Sequence, residues 1–190
     1  MALVADHRYA VSSGRGSPFH SLGVMNHHPQ IFGVVENATT YTSVAAPTTP
    51  PHTYLAIAQF MLHGVAPLAA AGANASVALA FVAAQVVECS LKAYLSRNGD
   101  DKRLKAKSVR HNLEALWHLA HAEGLALSAP IPSWLTTLNE LHDDPFRIRY
   151  STGAHGLFTP ASEPMATDIA ALVSLVARHI QQPSVNSDDA

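Results

Sequence analysis

Charge is what this chain has least of. Charged residues make up 14% of its 190 positions, against about 25% in an average soluble domain. Twelve Lys+Arg against 14 Asp+Glu leave a formal charge of −2, which excludes a uniformly basic nucleic-acid coat but not a local basic patch. Cysteine is nearly absent. Cys89 stands alone, so no internal disulfide can form, and a reducing, cytoplasmic setting is expected. Aromatic residues are sparse at 7%. The longest apolar stretch, Ala75 to Val87, falls short of the roughly 20 residues a bilayer crossing needs, so no membrane partner is expected. The N-terminus lacks a basic segment followed by a long apolar run, so no signal peptide is read there. With 48% apolar residues, the chain can bury a core and is not a disordered polymer.

The first 50 residues differ from the rest. They are rich in Ser, Thr, Gly, Pro, Asn and His, with no helical period. Ile31–Val35 and Thr39–Val44 have strand-like composition around a turn at Glu36-Asn37-Ala38. Residues 1–50 are therefore read as an irregular arm with a short hairpin. Asn37-Ala-Thr matches a glycosylation acceptor, taken as chance without a secretory signal. Three prolines between Ala46 and Pro51 mark a linker.

From there on the patterning is helical. Helices are predicted over Tyr54–Ala71, with Gly64 and Pro67 as points of kinking or splitting; over Val77–Ser96, capped by Ser76; and from a Ser108 cap to Glu123, closed by Gly124. A fourth is opened by Pro132-Ser133 and runs to His142, and a fifth covers Ala161–Gln182. The second is apolar nearly all round, as befits a central helix. Five helices with short links predict an all-α, up-and-down bundle over 51–184, with a frayed tail over 185–190.

That second helix carries one polar stripe. Gln85, Glu88 and Lys92 fall at i, i+3 and i+7 and share a face. They form either a structural ion pair at the bundle edge or a polar seam facing a cleft or a partner. A second signal is basic: Arg97, Lys102, Arg103, Lys105, Lys107 and Arg110 fall within 14 residues. Such a run is a solvated loop or a phosphate-contacting surface, with Lys102, Arg103, Lys105, Lys107 and Arg110 as its binding candidates. No aromatic residue interleaves it, so no base-stacking strip is indicated. A third signal is the count of 12 His. His111, Glu114, His118 and His121 share one face of the third helix, but without a His-Glu-x-x-His pattern they read as its exposed side, and no metal or cofactor is expected. Cys89, within an apolar helix, reads as a core residue rather than a nucleophile.

The stretch ALAFVAAQVVECSLKAYLSRNG, the basic loop, then His111-Asn112-Leu113-Glu-Ala-Leu116, Ala120 and Gly124 together resemble the HEPN family (higher eukaryotes and prokaryotes nucleotide-binding). The resemblance covers about residues 76–124, is extended by Arg149-Tyr150, and places His111 with the polar seam. It implies a small helical bundle that dimerises, binds a nucleotide, RNA or a nucleotidyltransferase-type protein partner, and belongs to a toxin–antitoxin or defence setting. Many family members are metal-independent endoribonucleases with an Arg, four to six residues, then His. Arg149 and His155, five residues apart between them, meet that spacing. In that role Arg149 clamps the scissile phosphate and His155 moves the proton. Tyr150 stands where active members carry a polar residue such as Asn, and Gly153, Gly156 and Pro160 argue for loop rather than helix. Alternatively, Arg149 pairs with Asp143 or Asp144 and His155 is a solvated loop residue.

Overall fold

A computed structural model describes residues 49–143, 146–149 and 156–181. The predicted arm and hairpin, the end tail, and Tyr150 and His155 lie outside the described residues. Within them the chain is all-α: α1 (Pro50–Ala70), α2 (Ser76–Leu95), α3 (Leu113–Ala122), α4 (Ser133–His142) and α5 (Ser162–Gln181). Short 3₁₀ turns at Gly72–Ala75 and Lys102–Lys105 precede and follow α2. No strand occurs among the described residues.

The chain builds inward on α2, which touches all four other helices. Fourteen of its 20 residues are buried. Small side chains explain its position: Ala80, Ala83, Ala84 and Ala93 are at most 1% exposed, so neighbouring helices approach closely. Leu79, Leu91 and Leu95 interlock with Leu113 and Leu116 of α3, Leu135 and Leu138 of α4, and Met165 and Ile169 of α5 in one core.

Three boundaries depart from the predicted ones; the smallest is at α2, where Ser76 is the first helical residue behind Ala75 and not a side-chain cap. α1 begins at Pro50, inside the predicted linker, with proline in its first turn, where the missing N–H has no intrahelical partner to lose. It runs unbroken past Pro67, which is exposed near its C-terminal end. α3 begins at Leu113 rather than behind Ser108, because Asn112 is the cap: its Oδ1 accepts from the Ala115 N–H at 2.7 Å. Residues 107–111 form a turn instead. Gly124, at φ 94°, closes α3 as predicted.

Both Pro50–Ala70 and Gly72–Leu95 are long and apolar enough to cross a bilayer by length and composition. In the second, that apolarity lies largely against the other helices, and its buried Glu88 and Lys92 face those helices too.

Candidate functional site

The site assembles at the junction of α3 and α4. The N-terminus of α3 leaves backbone N–H groups without helical partners. Asn139 of α4 accepts from the Leu113 N–H at 2.7 Å. Asn112 donates through Nδ2 to Asp143 Oδ2, also at 2.7 Å, just past the end of α4. These bonds clasp the start of α3 to the end of α4. His111 and His142 are thereby brought together, their rings edge to face with centroids 5.8 Å apart.

Both rings converge on Glu88 of α2. His142 Nε2 lies 2.5 Å and His111 Nδ1 lies 3.1 Å from the same oxygen, Oε2. Lys92 Nζ, one turn along α2, donates to Oε1 at 2.7 Å. An ionised carboxylate only accepts, so each ring presents an N–H to it. Burial opposes ionisation of Glu88. The His142 hydrogen bond, then Lys92 by charge and hydrogen bond, then His111 outweigh it and hold the carboxyl at about 2. Glu88 and Lys92 are each 6% exposed and His142 is fully buried. Glu88 and Lys92 of the α2 stripe therefore point into their own bundle. Removing one member of a buried ion pair costs about 3–5 kcal/mol, because the other charge is stranded.

Above this network opens a cleft of about 630 Å³, lined by Met61, Phe81, Gln85, His111 and Arg149. Gln85 sits at its wall and His111 joins it to the buried cluster. Arg149 lies 5.8 Å from the ring centroids of both Phe81 and Phe146, within cation–π range. Its Nε is buried without a hydrogen-bond partner. No carboxylate among the described residues pairs with it: Asp143 is engaged by Asn112, and Asp144 lies outside the described residues. Phe146 is also a backbone outlier, with φ 56°. Such left-handed geometry costs a non-glycine residue about 1–2 kcal/mol. It accompanies a ring set edge-on against His111 at 5.5 Å, so strain in the chain coincides with support for a site residue.

The basic run is exposed, and part of it is internally engaged. Arg97 and Arg103 both pair with Glu123, and Lys105 pairs with Asp101 at 2.9 Å. Lys102, Lys107 and Arg110 are exposed and form no ion pair among the described residues. Cys89 is buried, and burial first, then the Glu88 charge, pushes its thiol up to about 12. That makes it a poor nucleophile at neutral pH.

Of the predicted site residues, Gln85, Glu88, Lys92, His111 and Arg149 come together at one junction. Of the α3 face predicted from helical spacing, only His111 departs from the exposed side. His118 and His121 are exposed, whereas His111, one residue before the cap, turns to Glu88. The sequence reading missed His142, Phe81, Met61 and Phe146. Their only sequence signals were a histidine at a helix end, a phenylalanine and a methionine on apolar helices, and a phenylalanine in a loop, all of them common features. No family model, characterised protein or solved structure was found to match the chain.

Proposed function

We propose that the chain is a HEPN-like helical module whose cleft binds the phosphate of a nucleotide or of RNA. The observation that carries this reading is Arg149. An always-charged guanidinium opens onto a cleft between two aromatic rings, with a buried Nε that no described group satisfies. A phosphate would supply both the missing charge and a bidentate acceptor. Gln85 and His111 offer further polar contacts on the same wall. Exposed Lys102, Lys107 and Arg110 are candidates for flanking phosphates. A homodimer, a nucleotidyltransferase-type partner and a cytoplasmic defence role follow from the resemblance and belong to the same proposal. The endoribonuclease reading shares Arg149 and adds His155.

The test is calorimetric titration of the purified protein with AMP and with a short ribo-oligonucleotide. Arg149→Ala is expected to weaken binding roughly 10- to 100-fold, the worth of a charge-assisted hydrogen bond of about 1.5–3 kcal/mol. Arg149→Lys is expected to rescue little, because it loses the planar fork that binds a phosphate through two bonds. Equal affinity in wild type and Arg149→Ala sinks the reading. Ribonucleotide cleavage in EDTA, lost in both Arg149→Ala and His155→Ala, would move it from binding module to nuclease.

A further inference from the structure

We infer that Glu88, His111 and His142 form a binding site for one divalent transition-metal cation of the Zn²⁺ class, with an open coordination position toward the cleft. The three donors come from three separate stretches of chain: α2, the turn before α3, and the last residue of α4. Their candidate ligand atoms all lie within 4.8 Å of one another.

The donor chemistry fits the ion. Two imidazole nitrogens and one carboxylate oxygen make the ligand set of catalytic zinc sites, which keep a fourth position for water or substrate. Zinc binds such nitrogens and oxygens at about 2.0–2.2 Å. The ring nitrogens now crowd one oxygen, at 2.5 and 3.1 Å from Oε2. A cation among the three replaces those two N–H bonds: each ring binds through the nitrogen that now donates, and the proton displaced from it passes to the ring's other nitrogen or to solvent. Glu88 Oε1 keeps its 2.7 Å bond from Lys92. That is the hydrogen-bonded outer oxygen usual for a ligating carboxylate, and it favours one-oxygen binding through Oε2.

The surroundings also set the affinity and the open side. His142 Nδ1 is buried without a partner. A ligating histidine usually donates its other nitrogen to an outer-shell acceptor, whose loss weakens metal binding by about 10- to 100-fold. Lys92 adds a nearby positive charge. Both weaken binding relative to a site whose outer shell is complete, the missing partner by about 10- to 100-fold. Glu88 and His142 are buried, whereas the His111 side chain is 26% exposed and lines the cleft. The vacant position therefore opens on the His111 side, where water or an anion can reach it.

The experiment uses untagged, chelator-treated full chain. Zn²⁺ is titrated calorimetrically, and Co²⁺ is titrated by visible absorption. The expected result is one equivalent bound, with Co²⁺ giving the intense bands of a low-coordinate site. His111→Gln, at the least buried ligand, should weaken binding at least tenfold. His118→Gln/His121→Gln, on the exposed face of α3, should leave it unchanged. A melting-temperature rise with Zn²⁺ in wild type, absent from His111→Gln, is the second readout. Arg149→Ala should still bind metal, so failure of the phosphate reading and failure of this one are distinguishable. No binding by wild type, equal binding by His111→Gln, or binding that is lost with His118 and His121 each overturn the inference.

Discussion

At the scale of single residues, Asn112 shows how local chemistry positions the site. One amide does two jobs. Its oxygen caps α3 through the Ala115 N–H, and its nitrogen donates to Asp143. Spacing pointed to Ser108 as the cap, since serine before an apolar run is an equally good start signal. What decides for Asn112 is the donor it carries for Asp143, 31 residues away, which no local pattern displays. A pair of substitutions separates the two jobs. Asn112→Ala loses both and should cost about 1–2 kcal/mol. Asn112→Asp keeps a cap acceptor but sets a second carboxylate against Asp143. At pH 7 it should be at least as destabilising as Asn112→Ala, and the difference should close as the solution is acidified and the pair takes up a proton. Urea unfolding of both variants at pH 7 and pH 4 reads this directly. If Asn112→Asp is harmless at pH 7, the bond to Asp143 does not hold the clasp.

At the scale of elements, the helices were legible because apolar periodicity and turn residues are local. α4 and α5 fall within a residue or so of their predicted bounds. The polar stripe on α2 was legible for the same reason, since i, i+3 and i+7 is a property of one helix. Its partners were not. His142 lies 54 residues from Glu88, and only the packing of α4 against α2 brings them together. Proline and glycine were weighted too heavily in α1, which stays intact through both Gly64 and Pro67 because the long contact with α2 outweighs their poor propensity. Gly64 offers a stabilising substitution. A Cβ built there meets only a Val82 methyl, at 3.9 Å, which is ordinary contact. Gly64→Ala should therefore gain about 0.5–1 kcal/mol by restricting the unfolded chain. It should raise the melting temperature, and a lower one would mean that α1 and α2 are closer than this spacing allows.

For the whole molecule, one bond ties the outer helix α1 to the loop that follows the central one. Tyr54 donates through its hydroxyl to Asp101 at 3.1 Å, and Lys105 grips the same carboxylate. Burial first, then the Asp101 hydrogen bond, push the Tyr54 phenol up to about 12 from its ordinary 10.0. The sign follows from linkage. The unfolded chain gives up this proton first, so the contribution is complete below pH 10. It declines as pH rises toward the folded value. A rise from 10.0 to about 12 corresponds to about 2–3 kcal/mol at most. The ring is only part-buried, and solvent screening reduces this to on the order of 1 kcal/mol. Tyr54→Phe removes the titrating group while keeping the ring. It should cost about 1 kcal/mol at pH 8, and the cost should vanish by about pH 11–12, because the unfolded wild-type chain has by then released the phenol proton that the folded chain gives up only at about 12. The two proteins differ by a single hydroxyl, so the difference between their urea midpoints reports on this bond. Two stability curves that run parallel from pH 8 to pH 11 would show that Asp101 is held by Lys105 alone, and that α1 is anchored only through its apolar contact with α2 and α5.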